Sequence, residues 1–182
     1  LSRAMEYIRD WQGIVGAAPF VFQPPGIIVK NGNKFLNTHT RKVVAPVDAG
    51  TGSKKWGDGF PFLAKYLDGL LDPVEQTDFL LSWLHRFYSG AYNLNLESGQ
   101  NVFLLGPQGV GKTFFSQGIL WSLMGGGAEA ESYLLGKTDF NSELFECAVW
   151  SVDDNAATVD KTTHRKFSSI TKKMAANTTF QY

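Results

Sequence analysis

The run Gly106-Pro107-Gln108-Gly109-Val110-Gly111-Lys112-Thr113 decides what kind of fold this sequence forms. It fits the phosphate-binding loop pattern G-x-x-x-x-G-K-[ST] at every fixed position. Glycines let successive backbone N–H groups fold around a phosphate, and Lys112 is expected to place a positive charge near the β- and γ-phosphates. The Thr113 hydroxyl is the expected ligand for Mg²⁺. The run therefore predicts a site for a nucleoside triphosphate such as ATP, bound together with Mg²⁺.

The sequence on either side of this run strengthens the match. The segment Asn101-Val102-Phe103-Leu104-Leu105 predicts a buried strand, and residues Thr113 to Met124 predict a helix that ends at Gly125-Gly126-Gly127. A strand, a glycine-rich loop and a helix form the setting that the motif requires, with the phosphate at the helix N-terminus. The alternative is a chance glycine-rich turn, which explains the pattern but not its context.

A second motif follows downstream, in the segment Ala148-Val149-Trp150-Ser151-Val152-Asp153-Asp154, which predicts a buried strand that ends in two carboxylates. A phosphate-loop enzyme needs an acidic residue at the end of a nearby strand to hold Mg²⁺, and Asp153 suits that role. Asp154 is then placed to orient or deprotonate the attacking water, so Lys112 and Asp154 are the predicted catalytic residues. The alternative is that the two acids merely begin a turn, and which of them acts as the base stays open.

The distribution of apolar, polar and turn-forming residues divides the chain into three regions. Residues 1–60 are mixed and include a predicted hairpin around Asn31-Gly32-Asn33, and residues 61–97 predict a collar-like pair of helices. Residues 98–182 hold both nucleotide motifs. The expected fold class is α/β: a phosphate-loop core with a parallel sheet flanked by helices, preceded by a small helical and hairpin region.

The two helices of the middle region have separate signals. Apolar residues recur on one face from Phe62 to Leu71, which predicts the first helix. The second is expected to begin with Asp72 as N-cap, Pro73 at the first helical position and Glu75 as a capping-box residue. Such a pair buries its apolar stripes against a neighbour.

Composition bounds the class of protein. The 182 residues carry 17 Lys and Arg against 17 Asp and Glu, a formal net charge of +0, which argues against a generally basic coat for nucleic acid. Locally, Lys172-Lys173 and the β-like stretch that follows either contact a nucleic-acid backbone or form a solvated positive face. The single cysteine, Cys147, forms no internal disulfide, and no apolar stretch reaches the length of a membrane span. We expect a cytoplasmic protein without membrane association, in the host cytoplasm if it is viral.

The combined order and spacing of these motifs resembles the superfamily III helicase domain of phage and plasmid primase-helicases, a group related to poxvirus-type replicative NTPases. The resemblance covers the chain from about residue 27. The segments that carry it are the phosphate loop, the short spacing to Ala148–Asp154, Phe140-Asn141-Ser142-Glu143-Leu144-Phe145, and, upstream, Phe35-Leu36-Asn37-Thr38 with Val44-Ala45-Pro46.

The resemblance implies an ATP-driven 3′-to-5′ translocase on single-stranded or forked DNA that assembles into a homo-oligomeric ring, a hexamer in the full-length protein. In that family the site lies between subunits, and an arginine from the neighbour completes it. The sensor strand and this arginine are absent before Tyr182, so we expect the chain to be a piece of a longer protein that binds Mg-ATP without completing the hydrolytic cycle. Two alternatives stay open: a nucleotide-controlled assembly or binding module that does not unwind DNA, and a phosphotransferase with a phosphate loop.

Overall fold

The structure is a computed structural model that describes residues 3–4, 6–7, 10, 13–48, 56–95, 101–138, 142–153, 165, 167–169 and 171–172. Within these residues helices and short strands alternate, and each of two small sheets contains a parallel pair of strands. This content agrees with the α/β class that the sequence predicts.

The first sheet contains the predicted hairpin. Strands β1 (Ile14–Ala18), β2 (Gly26–Lys30) and β3 (Asn33–Asn37) lie in the order β1-β3-β2, with β2 and β3 antiparallel and β1 parallel to β3. The two residues between β2 and β3, Asn31 and Gly32, have φ angles of 51° and 79°. Two successive positive φ angles give the turn whose twist matches that of the flanking strands, and Asn-Gly is the dipeptide that tolerates it best. The hairpin prediction is confirmed.

Asn37, at the end of β3, is buried and connects the sheet to the segment before β2. Its Oδ1 accepts hydrogen bonds from the backbone N–H groups of Phe20 and His39, both at 2.9 Å. Its Nδ2 donates to the carbonyl oxygens of Phe20 at 3.1 Å, Gln23 at 3.2 Å and Pro24 at 2.9 Å. A buried amide with all of its polar atoms paired is a structural anchor.

The predicted helical pair is present. Helix α1 (Trp56–Gly59) precedes α2 (Pro61–Leu70) and α3 (Glu75–Tyr92). The prediction of Asp72 as N-cap is wrong: the N-cap position is Val74, and no side chain caps the helix. Backbone hydrogen bonds from Gln76 N to the Pro73 oxygen and from Thr77 N to the Val74 oxygen, at 3.0 and 2.9 Å, form a tight turn that moves the helix start past Asp72.

The helix predicted after the phosphate loop is also present, with an unusual first part. Helix α4 comprises a π-helical segment, Phe114–Leu120, and an α-helical end, Trp121–Met124. It ends at Gly125, whose φ of 75° is the left-handed conformation typical of a helix C-terminus. The predicted stop at the three glycines is confirmed.

The second sheet pairs β4 (Gly127–Glu129) with β5 (Val149–Ser151) in parallel, and the chain between them forms α5 (Glu131–Leu134) and α6 (Ser142–Phe145). The carboxyl ends of the two strands, Glu129 and Ser151, are register partners and lie at the same edge of the sheet. The second strand predicted from the sequence is therefore formed, although it is shorter than expected.

One predicted element is missing. Residues 101–105 are not in a strand, and the side chains of Phe103 and Leu105 are 69% and 90% exposed. Within the described part of the chain, β5 pairs with β4, and no strand of either sheet pairs with this segment. An apolar pattern gives a buried strand only where a neighbour accepts its hydrogen bonds, so the prediction of a buried strand here is wrong.

The main hydrophobic core joins the helical pair to α4 and to β5. Leu67 of α2 and Leu80 of α3 are buried in one cluster with Phe115 of α4 and Val149 of β5. A second cluster packs α5 and α6 against the sheet through Ala130, Leu134 and Leu144. The phosphate-loop helix is thus packed between the helical pair and β5. Among the described residues, no helix is long and apolar enough to cross a bilayer.

Candidate phosphate-binding site

The glycines of the loop adopt conformations that other residues rarely take. Gly106, Gly109 and Gly111 have φ angles of 151°, 86° and 101°. A Cβ built at Gly109 meets nothing within 4 Å, and one at Gly106 meets only a Val110 methyl carbon at 3.9 Å. Backbone conformation, rather than lack of space, therefore requires glycine at these two positions. Residues 106–109 and Thr113 are exposed and residues 110–112 are half-buried, so the first half of the loop is open to a ligand.

Lys112 points its side chain back over the loop. Its Nζ donates hydrogen bonds to the carbonyl oxygens of Gly106 and Pro107, both at 2.8 Å. The positive charge of the motif is thus held directly at the loop backbone by neutral acceptors. A phosphate oxygen is a stronger acceptor for an ammonium group than a carbonyl oxygen is, because that hydrogen bond joins two charges.

The start of α4 lies next to the lysine. Phe115 N donates to the Gly111 oxygen at 3.0 Å, which begins the hydrogen-bond ladder of the helix, and Thr113 is exposed at its N-cap position. The first N–H groups of a helix lack intrahelical acceptors and carry partial positive charge, which favours an anion. Loop, lysine and helix start therefore form one cationic surface.

Tyr66 of α2 contacts this surface from the side and is a residue that the sequence did not indicate. Its hydroxyl donates to the Gly111 oxygen at 2.9 Å, and its ring meets the Phe114 ring edge-on, with centroids 5.3 Å apart at 86°. A Cβ built at Gly111 lies 3.0 Å from Tyr66 Cε2, so glycine is required there for space as well as for its φ. Burial raises the pKa of the Tyr66 hydroxyl, which remains a donor at neutral pH.

Two polar contacts fix α4 against the carboxyl edge of the second sheet. Gln117 Nε2 donates to Glu129 Oε1 at 2.9 Å, and Trp121 Nε1 donates to Ser151 Oγ at 3.1 Å. Glu129 ends β4 and Ser151 ends β5, so the helix that follows the loop lies along the edge where both strands end. Neither contact was apparent in the sequence, because the partners lie on different elements.

The predicted acidic residues follow β5. Asp153 is exposed just beyond Ser151, at the sheet edge that α4 contacts. Asp154 lies outside the described residues. Within the part of the chain that is described, no three His, Cys, Asp or Glu side chains cluster to hold a metal ion. The Mg²⁺ site predicted from the sequence is not a cluster of this kind. It needs only the Thr113 hydroxyl, one carboxylate and oxygens of the nucleotide.

Comparisons of the chain with protein-family models, curated proteins and solved structures found no significant match. The glycines of the loop have positive φ and a helix follows the loop, whereas the strand that the motif requires before the loop is not formed.

Proposed function

We propose that this chain binds Mg-ATP through the loop Gly106–Thr113 and serves as the ATP-hydrolysing motor module of a phage or plasmid replicative DNA helicase. The observation that carries the nucleotide-binding part is the loop itself: glycines at positive φ lead into a helix start, with the Lys112 ammonium held over the same backbone. The helicase part rests on the order and spacing of motifs in the sequence.

Lys112 has a definite role in this proposal. In the structure its ammonium group donates to the Gly106 and Pro107 oxygens, and bound phosphate takes the place of at least one of these acceptors. The lysine then neutralises charge on the β- and γ-phosphates, while backbone N–H groups of the loop and of the first helical turn donate to phosphate oxygens. Only a short movement of the side chain is needed, because it already lies over the loop.

The Mg²⁺ part of the site uses Thr113 and Asp153. The Trp121–Ser151 hydrogen bond holds the end of β5 beside α4 at a residue eight positions after Thr113, about 12 Å along a helix. For Asp153 to share a metal with Thr113, the segment after Ser151 would have to run back toward the helix start. Mg²⁺ bound there supplies neutralisation of phosphate charge. Asp154, by its place in the sequence, is the candidate base that takes the proton of the attacking water.

A second candidate is a module that binds nucleotide and changes its assembly without unwinding DNA. One observation favours it: residues 101–105 lie outside both sheets, with Leu105 90% exposed. The loop and the acidic segment therefore do not follow neighbouring strands in this conformation. Hydrolysis requires the two to be held side by side, whereas nucleotide binding requires only the loop.

Steady-state ATP turnover and particle mass, measured with and without single-stranded DNA on a form of the protein that hydrolyses ATP, distinguish the candidates. The motor proposal predicts turnover that single-stranded DNA stimulates, together with ring-sized oligomers. Nucleotide-dependent oligomers without DNA stimulation would favour the second candidate. Transfer of phosphate to a small acceptor instead of water would indicate a phosphotransferase.

A further inference from the structure

We infer that Tyr66 is a positioning residue for the phosphate loop: its hydroxyl and ring set the orientation of the Gly111–Lys112 peptide group toward bound phosphate. This inference rests on the proposed nucleotide binding and adds a residue from outside the motif. Tyr66 lies on α2, 45 residues before Gly111 in sequence, so no local pattern connects the two.

The hydrogen bond acts on one particular peptide group. The Gly111 oxygen accepts from the Tyr66 hydroxyl at 2.9 Å and from Phe115 N at 3.0 Å, which uses both of its lone pairs. A trans peptide is planar, with its C=O and N–H pointing in opposite directions. Fixing the carbonyl of Gly111 therefore fixes the direction of the Lys112 N–H. That N–H belongs to the loop and helix start, where the amides that bind phosphate are found.

Packing holds the Tyr66 ring where the hydroxyl needs it. The ring lies against Gly111 on one side and meets Phe114 edge-on with a centroid distance of 5.3 Å. Phe114 in turn lies over Gly118, where an added Cβ would come within 2.8 Å of its ring. The ring of Tyr66 is thus supported by a residue of α4, and a movement of the loop must be accompanied by a movement of α2 or of this ring.

The chain offers a matched control. Tyr88 of α3 also donates its hydroxyl to a backbone carbonyl, the Val44 oxygen at 2.7 Å, but Val44 is not part of the phosphate loop. Tyr66→Phe and Tyr88→Phe each delete one hydroxyl and one hydrogen bond to the backbone while keeping the ring. Both variants are expected to change the unfolding temperature by similar small amounts. A difference between them in phosphate affinity is therefore due to where the deleted hydroxyl lies, and not to a general loss of fold stability.

Calorimetric titration of wild type and both variants with Mg-ATP, and separately with Mg-tripolyphosphate, tests the inference. Loss of the one neutral hydrogen bond that holds the Gly111 carbonyl oxygen predicts roughly five- to tenfold weaker binding of both probes by Tyr66→Phe. The affinity of Tyr88→Phe for both probes should stay within about twofold of the wild-type affinity. This variant also loses a hydrogen bond from a tyrosine hydroxyl to a backbone carbonyl, but that carbonyl is not in the loop.

The outcomes separate the inference from the proposed function. If wild type bound neither probe, nucleotide binding itself would fail and the inference with it. If wild type bound Mg-ATP and Tyr66→Phe bound it equally well, only the role of Tyr66 would be overturned. Should Tyr66→Phe not fold, Phe114→Leu removes the ring contact and leaves the hydroxyl. Unchanged affinity in that variant would also overturn the inference, and weakened affinity would support it.

Discussion

The Lys112 ammonium group lies 2.8 Å from the carbonyl oxygen of Gly106, the residue that begins its own loop. The same nitrogen is 2.8 Å from the Pro107 oxygen, so the lysine closes the loop onto itself. A ligand that replaces these acceptors must offer a better one, and a phosphate oxygen does because it carries charge. The arrangement therefore favours anions over neutral ligands at this site.

Lys112→Ala is expected to weaken Mg-ATP binding by about 10- to 150-fold, the equivalent of one charge-assisted hydrogen bond, and to abolish turnover. Calorimetric titration measures the affinity. Lys137→Ala is the control, because that lysine contacts Glu131 at 3.4 Å with a 57% exposed side chain and should leave the affinity unchanged. Equal affinity of folded Lys112→Ala and wild type would refute the role of Lys112.

Alanine substitutions at two loop glycines should have different effects. Both Gly109 and Gly111 have positive φ, which costs an alanine about 1–2 kcal/mol. Only at Gly111 does the added Cβ approach a neighbour, Tyr66 Cε2 at 3.0 Å, while at Gly109 nothing lies within 4 Å. Gly111→Ala should therefore weaken Mg-ATP binding more than Gly109→Ala does in parallel titrations. The opposite order would show that Tyr66 does not constrain the loop.

Asn37→Ala should destabilise the fold by roughly 3 kcal/mol, because it leaves several buried backbone groups unpaired. Chemical denaturation measures the change in the free energy of unfolding. Asn33→Ala in the same strand is the control, since Asn33 is exposed and its side chain can be lost at little cost. If both variants lost a similar small amount of unfolding free energy, Asn37 would not be the anchor of the hairpin region.

Asp153 and Asp154 are predicted to have separate roles. Asp153→Asn should mainly impair Mg²⁺-dependent binding of ATP, because an amide is a poor ligand for this hard cation. Asp154→Asn should bind Mg-ATP normally and fail to hydrolyse it, since an amide cannot accept the proton of water. The measurements are affinity with and without Mg²⁺, and turnover in a form of the protein that is active. Normal hydrolysis by Asp154→Asn would exclude it as the base.

Elements with local signals were predicted well from the sequence. The hairpin was predicted from the turn at Asn31-Gly32-Asn33 and from the strand-like residues on either side of it, and the two positive φ angles of Asn31 and Gly32 explain why this dipeptide forms the turn. Apolar periodicity identified the two helices whose residues Leu67 and Leu80 form the core. The phosphate loop stays a prediction from the fixed positions of its glycines and its lysine in the chain.

Elements that depend on distant partners were not predicted. The apolar segment 101–105 has the composition of a strand, yet whether it pairs depends on a neighbour that its own sequence does not specify. The start of α3 depended on a tight backbone turn at Pro73 rather than on Asp72. Tyr66 is one aromatic residue in an apolar helix face, and only the fold brings it to Gly111.

Amide NMR of the isotope-labelled chain, titrated with Mg-ATP, tests the central claim most directly. Binding at the loop predicts that the largest, saturable shifts occur at the N–H signals of Gly109, Gly111, Lys112 and Thr113, with smaller ones at the neighbouring start of α4. The same titration of Lys112→Ala should show these shifts only at much higher ligand concentration. The account would be contradicted if the loop signals did not move at millimolar Mg-ATP, or if the saturable shifts lay elsewhere in the chain.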